Sequence, residues 1–260
     1  MTDEVAVAQE EDFLEEKPRP YSWKRGLAGL LLLPVLFLMV SFVLVKIVIA
    51  SKIPLDQTAG FALTSSSFLI AALVYLLITG RAKRILSSLR LQRFHFHYIP
   101  VGLGAAVLTY IVAITIGIIG NSLLANMGDA KAQGANSTSE TITTLSQSHS
   151  IFYLGFFIVV LAPICEEIFF RGAFLGSLAQ DTRNNWIRVP AAIIVSVAFG
   201  FAHFQGFTGT LADVLAVVTP GLVGVTGVIL TLKFKSLYPA MLNHMFYNGF
   251  VLLILTSAGS

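Results

Sequence analysis

An all-α polytopic membrane protein with about seven transmembrane helices, between six and eight, is the fold class this sequence predicts. Three observations predict it. Apolar runs long enough to cross a bilayer recur along the chain. Charged residues make up 12% of the 260, whereas a soluble domain carries about 25%, so there is too little charge to clothe a soluble core. Hydrophobic residues make up 55% and the mean hydropathy is +0.79, which leaves lipid as the natural surroundings of most side chains.

The chain opens on MTDEVAVAQEEDFLEE, which holds seven of its fourteen acidic residues. A cleavable secretory signal starts instead with a short basic region and a short apolar core. Residues 1–22 are therefore expected to form an acidic, disordered cytoplasmic tail. Residues 23–257 are expected to form one transmembrane helical domain. A helix needs roughly 20 apolar residues to cross a hydrocarbon core of about 30 Å. Seven stretches are candidates: 26–50, 59–79, 98–120, 151–180, 189–204, 213–232 and 237–257. The fourth is interrupted by charge and the fifth is short. The longest polar loop, 121–150, is rich in Ser and Thr. No internal repeat is visible, so nothing supports an inverted-repeat transporter.

Loop charges predict the orientation. Lys17, Arg19, Lys24 and Arg25 precede the first span, and Arg81, Lys83, Arg84, Arg90 and Arg93 follow the second. Arg183 and Arg188 follow the fourth span, and Lys233 and Lys235 follow the sixth. The intervening loops hold Lys52 (with Lys46 near the end of the first span) and Lys131, and 204–212 holds no positive residue. This alternation predicts a cytoplasmic N-terminus in a cell membrane, which a chain of this kind suggests is prokaryotic. The net charge of +3 comes from these loops and carries no sign of nucleic-acid binding.

One stretch breaks the apolar pattern. LAPICEEIFFRG (161–172) places Glu166, Glu167 and Arg171 in a run that is uncharged from Ile151 to Cys165. Buried carboxylates are costly, so this stretch needs a structural reason or a function. On a helix Glu167 and Arg171 are i and i+4, acid first, the favourable order for an ion pair. Glu166 and Arg171 stand roughly 140° apart, so Glu166 has no partner nearby in sequence. The plain structural reading is one ion pair plus a spare acid. Against it stand further polar residues inside spans: His203 ends the fifth, and His244 and Asn248 share one helix face in the seventh, with Asn243 about 100° away. His95, His97 and His149 fall in loop regions and are expected to be solvated. The single cysteine, Cys165, excludes an intramolecular disulfide, and a thiol in apolar surroundings is inert.

These residues form three ordered motifs: EEIFFR at 166–171, FGFAH at 199–203 and HMFYN at 244–248. In this the chain resembles the CAAX-protease and bacteriocin-processing family (CPBP, also called Abi), whose eukaryotic relatives are the type II CAAX prenyl endopeptidases. The family pattern is Glu-Glu-x-x-x-Arg, then Phe-x-x-x-His, then His-x-x-x-Asn or Asp. The match covers roughly residues 150–250, which would carry the catalytic motifs. The resemblance implies that Glu166 and His203 activate a water for attack on a peptide carbonyl. His244 and Asn248 would face the developing oxyanion, while Glu167 and Arg171, with Phe199 of the second motif, order the site. The implied substrate is a peptide or protein terminus at the lipid bilayer. The sequence is silent on oligomeric state.

Two histidines and a glutamate are also a zinc-type donor set. H-E-x-x-H is absent and the donors lie on three separate spans, so no cofactor is expected and zinc stands as the minor alternative. Intramembrane Glu, His and Arg also suit a transporter or proton relay. A non-hydrolytic peptide-binding immunity or scaffold protein would keep the same residues.

Overall fold

In lipid no water satisfies backbone N–H and C=O groups, so apolar runs of this length must bond their backbone internally as helices. The computed structural model describes residues 21–53, 57–81, 85–91, 93–126, 155–179, 182–204 and 211–258. The described residues contain helices and connecting turns, with no strand. The long helices are α1 (Trp23–Ala50), α2 (Gln57–Ile78), α4 (Tyr98–Asn126), α6 (Asn185–Ala202), α7 (Leu211–Phe234) and α8 (Tyr238–Ala258). A four-residue helix α3 (Ile85–Ser88) lies between α2 and α4. The helix carrying the first motif, α5, runs through four consecutive segments: Gly155–Leu161, Ala162–Glu167, Ile168–Leu175 and Gly176–Ala179.

Five helices are by themselves long and apolar enough to span: Trp23–Ala50, Ala59–Ile78, Tyr98–Asn126, Asn185–Ala202 and Leu211–Phe234. The other two expected spans are the helices α5 and α8. Three charges dilute α5, and Asn243, His244 and Asn248 dilute the first half of α8. The boundaries differ most from expectation at two places. α4 continues to Asn126 rather than stopping at 120. α6 starts at Asn185 because Asn184 caps it, its Oδ1 accepting from the Trp186 N–H at 3.0 Å. The acidic tail up to residue 20 and residues 127–150 of the polar loop, with His149, lie outside the described residues.

α1 faces outward along much of its length, exposing Leu31, Leu38, Met39 and Phe42. α5 is the opposite: every residue from Ile168 to Leu175 is buried. A helix apolar nearly all round belongs at the centre of a bundle, and α5 packs against α1, α2, α6, α7 and α8. Phe37 of α1 stacks on Phe68 of α2 at 4.5 Å, and Phe68 meets Phe169 at 5.0 Å and Phe170 at 5.2 Å. Small residues let the helices approach closely, as lipid-embedded bundles require. Gly29 of α1 lies against Ser177 of α5, Gly102 of α4 against Leu242 of α8, and Gly200 of α6 against Val217 of α7.

Candidate active site

The site starts from the way α5 is wound. Gly155–Leu161 and Ile168–Leu175 are π-helical, whereas Ala162–Glu167 between them is α-helical. Pro163 sits in the first turn of the α segment and has no N–H to give backwards. In a π turn the N–H of residue 163 is the one that would reach the Ile158 carbonyl. Asn248 of α8 supplies a donor instead, its Nδ2 reaching Ile158 O at 2.9 Å. π turns inside long helices recur at functional sites.

Glu167 and Arg171 form the inner part of the cluster, and neither is exposed at all. Arg171 Nη1 meets Glu167 Oε1 at 3.0 Å, as their spacing predicts. The same Glu167 oxygen accepts from His244 Nδ1 at 3.1 Å. Arg171 Nη2 donates to the carbonyls of Val223 and Gly224 on α7, at 3.1 and 3.2 Å. Its guanidinium lies 4.2 Å from the centre of the Phe199 ring, a favourable cation–π contact in a dry site. One side chain thus ties α5, α6 and α7 together.

Glu166 looks elsewhere, as its position on the helix predicts. Its Oε2 is 3.5 Å from His203 Nε2 on one side and 3.9 Å from His244 Nε2 on the other. These separations are too long for good direct hydrogen bonds and suit a bridging water. Glu166 Oε2 has no direct hydrogen-bond partner among the described residues. The tautomers follow from the partners. His203 Nδ1 faces the Phe199 carbonyl at 2.9 Å, and a carbonyl only accepts, so Nδ1 carries a proton. His244 Nδ1 likewise donates to Glu167. Both Nε2 atoms are left to face the same Glu166 oxygen.

Phe199 explains the first residue of its motif. Its carbonyl holds His203, and its buried ring packs 4.7 Å from the His203 ring and 5.5 Å from that of His244. Asn248 shares a face with His244 as expected, and its amide is engaged with the α5 backbone. His95 and His97 stay apart from the site, stacked on each other at 5.4 Å in an exposed turn. Cys165 is a buried free thiol.

Sequence reasoning missed α7. Val223, Gly224 and Gly227 contact Arg171 or its neighbours. The available signal was the regular spacing of Gly221, Gly224 and Gly227, a bare stripe on an apolar helix. Asn243, about 100° from His244 on α8, is buried, and its amide has no partner among the described residues. Among the described residues, no group of three or more His, Cys, Asp or Glu is arranged to hold a metal ion.

Residues 148–250 match the family model described as "Type II CAAX prenyl endopeptidase Rce1-like". This range spans the motifs at 166–171, 199–203 and 244–248. Over 220 residues the chain is 26% identical to the membrane-embedded CAAX protease MroQ of Staphylococcus aureus (strain USA300), covering 80% of this chain and 81% of that protein. No solved structure matches the chain.

Proposed function

From the match of residues 148–250 to the type II CAAX prenyl endopeptidase model, we propose that the chain is a member of the CAAX-protease and bacteriocin-processing family and a glutamate-type intramembrane endopeptidase. Its substrates are membrane-associated peptides or protein C-termini. The observation that carries this reading is the convergence of His203 Nε2 and His244 Nε2 on one Glu166 oxygen inside an apolar bundle.

A water between Glu166 and His203 is the nucleophile. As its oxygen bonds to the peptide carbonyl carbon, one of its protons passes to Glu166, and the carbonyl oxygen takes up the negative charge. We assign the stabilisation of that charge to His244 and to Asn248, whose Nδ2 meets Ile158 O at 2.9 Å and has a second amide hydrogen to offer. His244 donates there through Nε2 when the ring is doubly protonated, with Nδ1–H held by Glu167. Collapse of the tetrahedral intermediate breaks the C–N bond, and the proton held by Glu166 passes to the departing amine. The steps use no metal and no covalent enzyme intermediate. Loop charges support a cytoplasmic N-terminus.

The test is cleavage of a panel of apolar peptides by protein purified in detergent, with and without a chelator. Wild type cuts in both conditions, and Glu166→Gln does not cut while its melting temperature stays near that of wild type. Cleavage lost on chelation and restored by zinc would overturn the metal-free mechanism. Near-normal cleavage by Glu166→Gln would overturn the assignment of the base. Solute or ion flux in proteoliposomes without any peptide cleavage would favour a transporter.

A further inference from the structure

α7 gives the polar cluster no side chain, yet it is where the Arg171 guanidinium ends. The guanidinium is enclosed on every side that the structure describes. Nη1 is on Glu167, Nη2 is on the Val223 and Gly224 carbonyls, and the Phe199 ring lies 4.2 Å from Cζ. The remaining side is the Cα of Gly227. A Cβ at that position would stand 2.9 Å from both Nε and Nη2, and 3.1 Å from Cζ.

We infer that Gly227 is a positioning residue for the active site: its missing side chain is the slot that seats Arg171, and through Arg171 it sets Glu167 against His244. The inference rests on the reading of this cluster as a peptidase site. Ordinary contact begins near 3.5 Å, so a Cβ at 227 would drive the guanidinium back by roughly half an ångström. The planar fork moves only as one unit, and it is completely buried and already held on Glu167, on the Val223 and Gly224 carbonyls and against Phe199. The displacement therefore passes to Glu167 Oε1, which also holds His244 Nδ1 at 3.1 Å. His244 then turns its Nε2 away from the point that it shares with His203.

The other glycines of the stripe separate this effect from general helix packing. A Cβ at Gly224 would meet Ser196 Cα and O at 3.1 Å, so that glycine serves the approach of α6 to α7. A Cβ at Gly221 would find its nearest neighbour, Ser196 O, at 3.9 Å, an ordinary contact. Gly221→Ala is therefore the matched control: the same substitution, on the same helix, with room to fit.

The experiment is a double-mutant cycle between Gly227→Ala and Arg171→Lys, with Gly221→Ala beside it. Lysine keeps the charge but lacks the fixed fork, so its flexible stem can give way to an added methyl. Gly227→Ala is expected to lower kcat about tenfold or more with KM within about twofold, because small misplacements at a reacting centre cost up to about 10²-fold. Gly221→Ala is expected to keep wild-type kcat. In the Arg171→Lys protein, adding Gly227→Ala is expected to change kcat by less than about threefold, the mark of coupled neighbours. Thermal midpoints are read on the same variants and on Arg171→Ala. Gly227→Ala lowers the midpoint when Arg171 is present and leaves it unchanged in the Arg171→Ala protein. A wild-type kcat in Gly227→Ala overturns the inference, and so does an equal loss in the wild-type and Arg171→Lys backgrounds. If the wild-type protein cuts no peptide, the peptidase reading fails by itself, and the midpoints still decide whether Gly227 seats Arg171.

Discussion

Glu167→Gln removes one negative charge and almost no volume, which makes it a clean probe of the inner cluster. In the native protein Arg171 is fully buried and its charge is met by the Glu167 carboxylate at 3.0 Å. After the substitution the guanidinium keeps the Val223 and Gly224 carbonyls and the Phe199 ring, but no anion in direct contact. Stranding one partner of a buried pair costs about 3–5 kcal/mol. The Gln amide oxygen can still accept one hydrogen bond, worth about 1 kcal/mol, which leaves a loss of about 2–4 kcal/mol. At about 2–4 °C per kcal/mol for a chain of this size class, the melting temperature in detergent should fall by roughly 4–16 °C. Glu166→Gln is the comparison. Glu166 stands 3.5 Å from His203 and 12% exposed, so neutralising it strands no buried cation in direct contact. The assay is scanning fluorimetry of both variants in one detergent and buffer. The reasoning is refuted if Glu167→Gln melts within about 2 °C of wild type, or if Glu166→Gln is the less stable of the two.

Asn248→Ala is expected to lower kcat by roughly 10²–10³-fold, the range for one oxyanion donor, with little change in KM. It also leaves the Ile158 carbonyl without the amide that meets it at 2.9 Å, so a lower melting point with unchanged kcat would reduce Asn248 to a clamp on α5. Orientation is tested by labelling single cysteines in a Cys165→Ser background. An impermeant reagent added outside should reach a cysteine at position 137 and not one at position 87, and the reverse pattern would invert the topology.

The first motif was the most legible part of the sequence, because helix geometry alone separates the two glutamates. Adjacent residues lie about 100° apart, so only one of them can share a face with Arg171. The structure pairs Glu167 with Arg171 and turns Glu166 toward His203 and His244. The seven apolar stretches were legible because each must satisfy its own backbone. Two features were not. The π winding of α5 is one: Pro163 leaves the Ile158 carbonyl without its backbone donor, and the side chain that meets it, Asn248, comes from another helix. The role of α7 was hidden because backbone carbonyls and a missing side chain hold Arg171 there, and neither has a residue type that signals chemistry.

The two glutamates divide a problem that a bilayer makes acute. A charge inside the membrane must be compensated, yet a base must remain available to its substrate. Glu167 and Arg171 cancel each other, so the pair can be buried with no exposure and add no net charge. That leaves Glu166 as the uncancelled carboxylate of the cluster, and it is the one with partial exposure, 12%. His244 touches both regimes. Its Nδ1 is fixed by the neutralised pair and its Nε2 faces Glu166, the proposed base. In the proposed mechanism the buried pair would act without meeting the substrate: it fixes which nitrogen of His244 faces Glu166, while Phe199 does the same for His203 through its carbonyl. Two adjacent acids on one helix are the shortest sequence that can serve both demands, since a turn of about 100° is enough to send one inward and the other toward His203 and His244.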